Sequence, residues 1–204
     1  MKAQSKISIK TIYVIDDDHS FSQSLVQALL LEGYQAQAFY HVNDFLQHDI
    51  LDYAIVLCDM RMPNLSGLDL QSELKRRNKN NPIIFISGQS TVKQAVTAMK
   101  AGAEEFLTKP FEPAELMQLL VQIFQKLELE YHLRKMLASL SAREHEALRY
   151  FVEGLSNPEV AQLMGIQLAT LKEYKSNIFR KLEVSKSFEL IEKFKVIVQN
   201  NSQN

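Results

Sequence analysis

Cysteine is almost absent from this chain: Cys58 is the only one in 204 residues. That excludes an intramolecular disulfide and a cysteine zinc cluster. Cys58 follows the apolar stretch Tyr53–Leu57 and precedes Asp59, where a small core residue is its expected role. Long apolar runs are also missing, since none approaches the roughly 18 residues a membrane span requires. No charged-then-apolar leader opens the chain, so a cytoplasmic location is the expectation. Net charge is nearly nil: 23 basic against 24 acidic side chains leave −1, which by itself suggests no nucleic-acid partner. With 46% hydrophobic and 23% charged residues, a chain of this length suits two small soluble domains better than one large one.

The overall charge conceals an asymmetry. Residues 1–123 carry 11 basic and 14 acidic side chains, a net of −3, whereas residues 139–204 carry 9 and 8, a net of +1. Within 170–186 there are five basic residues (Lys172, Lys175, Arg180, Lys181, Lys186) against Glu173 and Glu183. Positive charge gathered on one short segment is more informative than the total.

The first part of the chain alternates between two hydrophobic periods. Strand-length apolar runs occur at Ile12–Ile15, Ala54–Leu57 and Ile83–Ile86, with weaker candidates at Gln35–Phe39 and Glu105–Leu107. Helical periods separate them: Phe21–Leu31, Val42–Gln47, Gly67–Arg77, Val92–Ala101 and a long stretch from Pro113. Strands alternating with helices in this way predict a parallel sheet covered on both faces. Val92, Val96 and Met99 share one face of a helix that stops at Gly102. From Ala114 to about Met136 neither Gly nor Pro interrupts, and Leu116, Leu120, Ile123, Leu127 and Tyr131 fall at helical spacing. Two readings stand: the last helix of the sheet domain, packing as far as Phe124, or a helix that continues as an amphipathic linker able to pair with a copy of itself.

After Ser139 the signal is helical throughout. Ser141 with Glu144 forms a capping-box pattern opening a helix through Phe151, and Gly154 breaks it. In "GLSNPEVAQLMG" Asn157 suits an N-cap, Pro158 the first helical position and Gly165 a stop. A helix from Ala169 to Leu182 and a last one from Ser187 to Val198 follow. Two short helices joined through a glycine turn make a helix-turn-helix candidate. The terminal "QNNSQN" is expected to be a frayed tail.

The chemistry collects at strand ends. Asp16, Asp17 and Asp18 follow the first strand, Asp59 ends the third, and Ser87 and Lys109 follow the fourth and fifth. In a doubly wound sheet, sites form at the carboxyl ends of the strands near the point where strand order reverses. Singly, Asp18 could be an N-cap, Ser87 a turn residue and Lys109 a surface lysine. Acidic, hydroxyl and ammonium groups at four strand ends together have no such ordinary explanation. Close carboxylates repel unless a cation intervenes or one is protonated. Oxygen-only ligands suit a hard ion, Mg²⁺ above all at an open site. A carboxylate nucleophile beside such an ion, with a lysine and a hydroxyl facing it, is equipment for phosphoryl transfer through an acyl phosphate on Asp59.

"YVIDDDHS", "LCDMRMPNLSGLDL", "IIFISGQ", "AMKAGAEEFLTKPF" and "LSAREHEALRYFVEGLSNPEVAQLMGI…SNIFRKLEV" together resemble the bacterial two-component response regulators of the FixJ/NarL type. The resemblance spans nearly the whole chain in order. It implies an α/β fold, a flavodoxin-like doubly wound (βα)5 receiver over 1–123, a helical linker over 124–138, and an all-α LuxR-type helix-turn-helix domain over 139–204. It implies that Asp59 is the phosphoacceptor (as 4-aspartylphosphate), that Asp16 and Asp17 are the acidic pair, and that these with Asp59 and the Arg61 backbone carbonyl form the Mg²⁺ site. Ser87 and Phe106 match the switch hydroxyl and aromatic, Lys109 matches the family lysine, and the Lys109–Pro110 bond would be cis. A sensor histidine kinase would phosphorylate Asp59, residues 91–124 would become a homodimerisation face, and the dimer would bind promoter DNA. Two alternatives are a phosphohydrolase using "DDD", which the position of Asp59 and the helix-turn-helix oppose, and a receiver that docks to a partner unphosphorylated, which the complete Asp16, Asp17, Asp59, Ser87, Lys109 set opposes. The chain is therefore expected to be a regulator and not an enzyme.

At about 100° per residue, Leu171, Tyr174, Ile178 and Leu182 form the core stripe of the candidate recognition helix. Ala169, Lys172, Glu173, Ser176 and Arg180 lie opposite, facing a major groove, with Thr170 beside them. Lys175, Asn177 and Lys181 flank that face within reach of phosphates. Relatives usually carry Ser-Glu-Lys before the threonine, where this chain has Gln167, Leu168 and Ala169. Glu173 replaces a residue often aliphatic, and Tyr174 a usual histidine. An acid there could accept from cytosine N4 or could simply repel phosphate. A domain charge of +1 fits weak monomer binding and a need to dimerise.

Overall fold

Five apolar runs become the strands of one parallel sheet in the computed structural model, which describes residues 10–88 and 91–201. In chain order the elements are β1 (Thr11–Ile15), α1 (His19–Leu31), β2 (Gln35–Phe39), α2 (Val42–Gln47), β3 (Ile55–Asp59), α3 (Gly67–Arg76), β4 (Ile83–Ser87), α4 (Val92–Lys100), β5 (Glu105–Thr108) and α5 (Pro113–Ala138). The strand order is β2-β1-β3-β4-β5 with every neighbouring pair parallel, the flavodoxin-like order. β1, β3 and β4 are buried along their whole length, which is why they read as continuous rather than alternating apolar runs. Tyr13, Ile15, Val56, Cys58 and Phe85 face one layer with Phe45, Leu70 and Leu74. Ile12, Val14, Ile55, Leu57, Ile84 and Ile86 face the other with Leu25, Leu29, Leu116 and Leu120. Cys58 is a core residue as expected, and burial pushes its thiol pKa well up, with Asp59 and Asp16 adding to the rise.

The helical period of α4 was legible but its direction is the reverse of an ordinary core stripe. Val92, Val96 and Met99 are 82%, 45% and 42% exposed, and the helix buries Ala98 instead. A small residue lets α4 sit close to the sheet, so the larger apolar side chains are left outside.

The first compact unit ends at Leu127 and the second begins at Glu128. Leu116, Leu120, Ile123, Phe124 and Leu127 of α5 belong to the core of the first unit. Core packing thus holds beyond Phe124, where the sequence suggested it would stop. Leu133, Met136 and Leu137 belong to the core of the second unit, so residues 124–138 divide between the two. No described helix is long and apolar enough to cross a membrane.

The described residues of the second unit continue with α6 (Ala142–Val152), α7 (Asn157–Leu163), α8 (Leu168–Lys181) and α9 (Ser187–Asn201) around Leu148, Phe151, Val160, Leu171, Ile178, Leu182 and Phe194. The Ser141–Glu144 capping box is present. The cap of α7 is Ser156 rather than Asn157: Glu159 Oε2 accepts from the Ser156 N–H at 2.8 Å and its hydroxyl at 2.6 Å. The same S-x-x-E pattern that marks α6 lay one residue upstream of the asparagine. Gly165, with φ +64, turns α7 into α8. α9 continues to Asn201, past the expected end at Val198, while residues 202–204 lie outside the described ones.

Candidate functional site

The register of the sheet builds the site. Ile15 of β1 is opposite Cys58 of β3, so Asp16 and Asp59 emerge side by side. Asp59 is opposite Ile86, and Ser87 opposite Thr108, so Ser87 and Lys109 leave the sheet at the same edge. The Lys109 backbone N–H donates to the Ser87 carbonyl at 2.9 Å, and the Lys109–Pro110 bond is cis.

The Lys109 ammonium stands between two acids, 2.5 Å from Asp16 Oδ2 and 3.3 Å from Asp59 Oδ1. It also sits 3.8 Å from the centre of the Phe21 ring, a cation–π contact. Burial works against its charge, but the Asp16 hydrogen bond and the attraction of both carboxylates hold its pKa above the ordinary lysine value. Asp59 is 8% exposed. Burial raises its pKa against the opposing pull of the Arg61 N–H, which donates to Oδ2 at 2.6 Å, and of Lys109. The remaining Asp16 oxygen, Oδ1, accepts from the Asp18 N–H at 2.9 Å. Asp17 is exposed beside them.

Asp18 does have the ordinary role: its Oδ1 accepts from the Phe21 N–H at 3.0 Å and caps α1. Ser87 is 2% exposed, and Phe106 of β5 is half-buried against the Tyr13–Phe85 layer. Phe21 and the Arg61 N–H were not singled out from sequence. An aromatic in the first turn of α1 looks like any core residue, and a backbone donor leaves no trace in residue type.

Among the described residues, no three His, Cys, Asp or Glu side chains are placed to enclose a metal ion. The expected three carboxylates, Asp16, Asp17 and Asp59, are therefore not gathered into a closed cage, and the Lys109 ammonium stands between two of them. Asp16, Asp17, Asp59 and the Arg61 carbonyl are all oxygen donors, with one ammonium balancing three carboxylates, so the donor chemistry fits Mg²⁺.

Gly67 holds the end of β3, and with it Asp59, close to α3. A Cβ at this position would lie 2.6 Å from Phe85 Cε1 and 2.7 Å from the Asp59 carbonyl oxygen. Gly67→Ala is expected to destabilise the first unit by about 1–3 kcal/mol, because relief of the clash displaces Asp59. Thermal unfolding checks this; an unchanged midpoint would show that the strand end does not depend on this approach.

On α8, Leu171 and Ile178 are buried and Tyr174 is half-buried, while Ala169, Lys172, Glu173, Ser176 and Arg180 are all exposed. Thr170 and Asn177 are half-buried, and Asn177 Oδ1 accepts from Arg180 at 3.2 Å. Two of the expected phosphate contacts, Lys175 and Lys181, have partners on other helices. Lys181 Nζ lies 2.6 Å from Glu144 Oε2 on α6, and Glu144 is 5% exposed. Lys175 Nζ donates to Asn157 Oδ1 at 3.1 Å and lies 5.1 Å from the Phe151 ring centre. Spacing on α8 gave the face correctly, but partners on α6 and α7 are separated from it in sequence.

Residues 12–121 match the family described as response regulator receiver domain, and residues 138–194 the bacterial regulatory proteins of the luxR family. The chain is 35% identical over 189 residues to the response regulator protein TodT of Pseudomonas putida, covering 88% of this chain and 83% of that one. It is 33% identical to the transcriptional regulatory protein FixJ of Azorhizobium caulinodans, covering 88% and 89%. Among solved structures it is similar to the response regulator StyR, with a TM-score of 0.56 and 33% identity over 92% of this chain and 99% of that one.

Proposed function

We propose that this chain, which belongs to the two-component response regulators with a LuxR-type DNA-binding domain, is a transcription regulator switched by phosphorylation of Asp59. The observation that carries the reading is the convergence of Asp16, Asp59 and Lys109 at one strand edge, with the ammonium 2.5 Å and 3.3 Å from the two carboxylates. An Asp59 oxygen attacks the phosphorus of a phosphohistidine or small acyl phosphate, and the P–N or P–O bond to the leaving group breaks. Lys109 stands ready to neutralise a phosphoryl oxygen as a point charge. Mg²⁺, held by Asp17, Asp59 and the Arg61 carbonyl with Asp16 alongside, would offset charge on the transferred group. The phosphodonor in the cell is a sensor histidine kinase. The chemistry ends on the chain's own aspartate and turns over no external substrate, so the chain acts as a regulator and not as an enzyme, in the cytoplasm where its DNA lies.

The phosphoryl group brings nearly two negative charges at pH 7. Ser87 turns its hydroxyl to the new oxygens, and Phe106 rotates into the space released. Such a group biases a two-state domain rather than making a new fold. The exposed stripe of Val92, Val96 and Met99 on α4, together with Val121 on α5 at 43% exposure, supports 91–124 as the homodimer face. Dimerisation then brings two copies of α8 to half-sites about one helical turn apart on promoter DNA. Ala169, Thr170, Lys172, Glu173, Ser176 and Arg180 face the groove, while Lys175, Asn177 and Lys181 are placed nearer the phosphates. Joining two weak binders raises affinity with no new base contact.

The test compares DNA affinity of the phosphorylated full chain with that of a fragment beginning at Glu128, which keeps Leu133, Met136 and Leu137 in its core. Much weaker binding by the fragment is the expected result. A fragment that binds as tightly as the phosphorylated chain would show that activation works by unmasking α8 and not by pairing.

A further inference from the structure

Glu173 is the only carboxylate on α8, and it lacks the partners that several acids of its unit have. Glu144, Glu146, Glu159 and Glu189 each accept hydrogen bonds, from Ser141 and Lys181, Arg143, Ser156 and Ser185 respectively. Glu173 is exposed and forms no hydrogen bond or ion pair with any described residue. The sequence leaves it no local partner either. The positions three and four residues away on α8 are Ala169, Thr170, Ser176 and Asn177, all neutral, so the usual helical ion pairs are closed to it. It lies on the same exposed side as Lys172, Ser176 and Arg180, opposite buried Leu171 and Ile178.

We infer that Glu173 sets the sequence preference of the chain by requiring a cytosine at the base pair it meets in the major groove. The inference rests on the proposed DNA-binding role of α8. An unneutralised carboxylate carried between two rows of phosphates is repelled unless donors meet it there. Guanine presents the N7 and O6 acceptors and thymine the O4 acceptor with a methyl group, so both leave the charge opposed. Adenine offers its N6 amino group but places the N7 acceptor beside it. Cytosine presents the N4 amino group alone on its edge, the donor that Glu and Asp accept from. The residue therefore selects by attraction to one base and by repulsion from the others.

The experiment selects duplexes from a random library with the full chain phosphorylated by a small acyl phosphate and Mg²⁺, and repeats the selection with Glu173→Gln. The native chain should enrich sites with a fixed cytosine in each half-site, and changing that cytosine to thymine should weaken binding on the order of tenfold. Glu173→Gln should unfold at the same temperature, since the exposed side chain holds no hydrogen bond or ion pair, and should move the preference to adenine, whose N6 and N7 an amide matches. If Glu173→Gln enriches the same site with uniformly higher affinity, the acid only repels phosphate and the inference is overturned. If neither protein enriches any duplex, the DNA-binding reading falls and the inference with it.

Discussion

Asp59→Asn protein will take up no phosphoryl group from a small acyl phosphate in Mg²⁺, where the native chain takes up one. Intact mass and acid-labile phosphate measure this directly. The amide cannot act as the nucleophile that forms an acyl phosphate, and the carboxylates of Asp16 and Asp18 are already engaged. Asp16 is 3% exposed with its two oxygens bound by the Asp18 N–H and Lys109. Asp18 caps α1. Chelation of Mg²⁺ should reduce labelling of the native chain in the same way.

Loss of labelling will not reflect unfolding. The Asp59 carboxyl is held above the usual carboxylate range chiefly by burial, against the Arg61 N–H and Lys109. A raised acid pKa means that the ionised form is disfavoured in the folded state, so folding loses stability as pH rises through that range. Asparagine removes the disfavoured charge, and the variant should unfold at the native temperature or above. Labelling of Asp59→Asn to the native extent would place the phosphoacceptor elsewhere.

Lys181→Ala should destabilise the second unit by about 2 kcal/mol, equivalent to roughly 10 °C in its unfolding midpoint for a domain of this size. The Glu144 side chain is 6% exposed and that of Lys181 29%. Truncating the lysine leaves a nearly buried carboxylate with only Ser141 donating to it among the described residues. Water reaching the lysine end places the effect below that of a fully buried pair. Replacing both residues by methionine should recover most of the loss, because neither charge is then left alone. If Lys181 served only to touch DNA phosphate, Lys181→Ala would leave the unfolding midpoint unchanged and reduce the salt slope of DNA binding by about one.

The pair also gives this unit an acid limit. Burial opposes the Glu144 charge, but the Lys181 hydrogen bond and the Ser141 donors outweigh it and hold the carboxyl below its ordinary value of 4.5. Its contribution is therefore complete above pH 4.5 and is lost as pH falls through the lowered value. In Lys181→Ala the decline in stability on acidification should be shallower, which a pH series of unfolding midpoints would show.

Much of this protein is written locally. Continuous apolar runs separated by helical periods determined a parallel sheet, because strands buried on both faces need no polar alternation. The strand-end positions of Asp16, Asp59, Ser87 and Lys109 determined the site, since the carboxyl edge of such a sheet collects whatever follows its strands. The outward face of α8 followed from one period and one core stripe. The rest was decided by contacts between segments far apart in sequence. Period alone says that Val92, Val96 and Met99 share a face, but which side of α4 turns inward depended on Ala98 fitting against the sheet. Lys175 and Lys181 read as surface cations until Asn157 and Glu144 were brought to them by the packing of α6, α7 and α8. The close approach of Gly67 to Asp59 and Phe85 needed α3 laid against two strands. In each case the deciding partner lies on another element, so the side chain's role is fixed by packing distance and not by its neighbours along the chain.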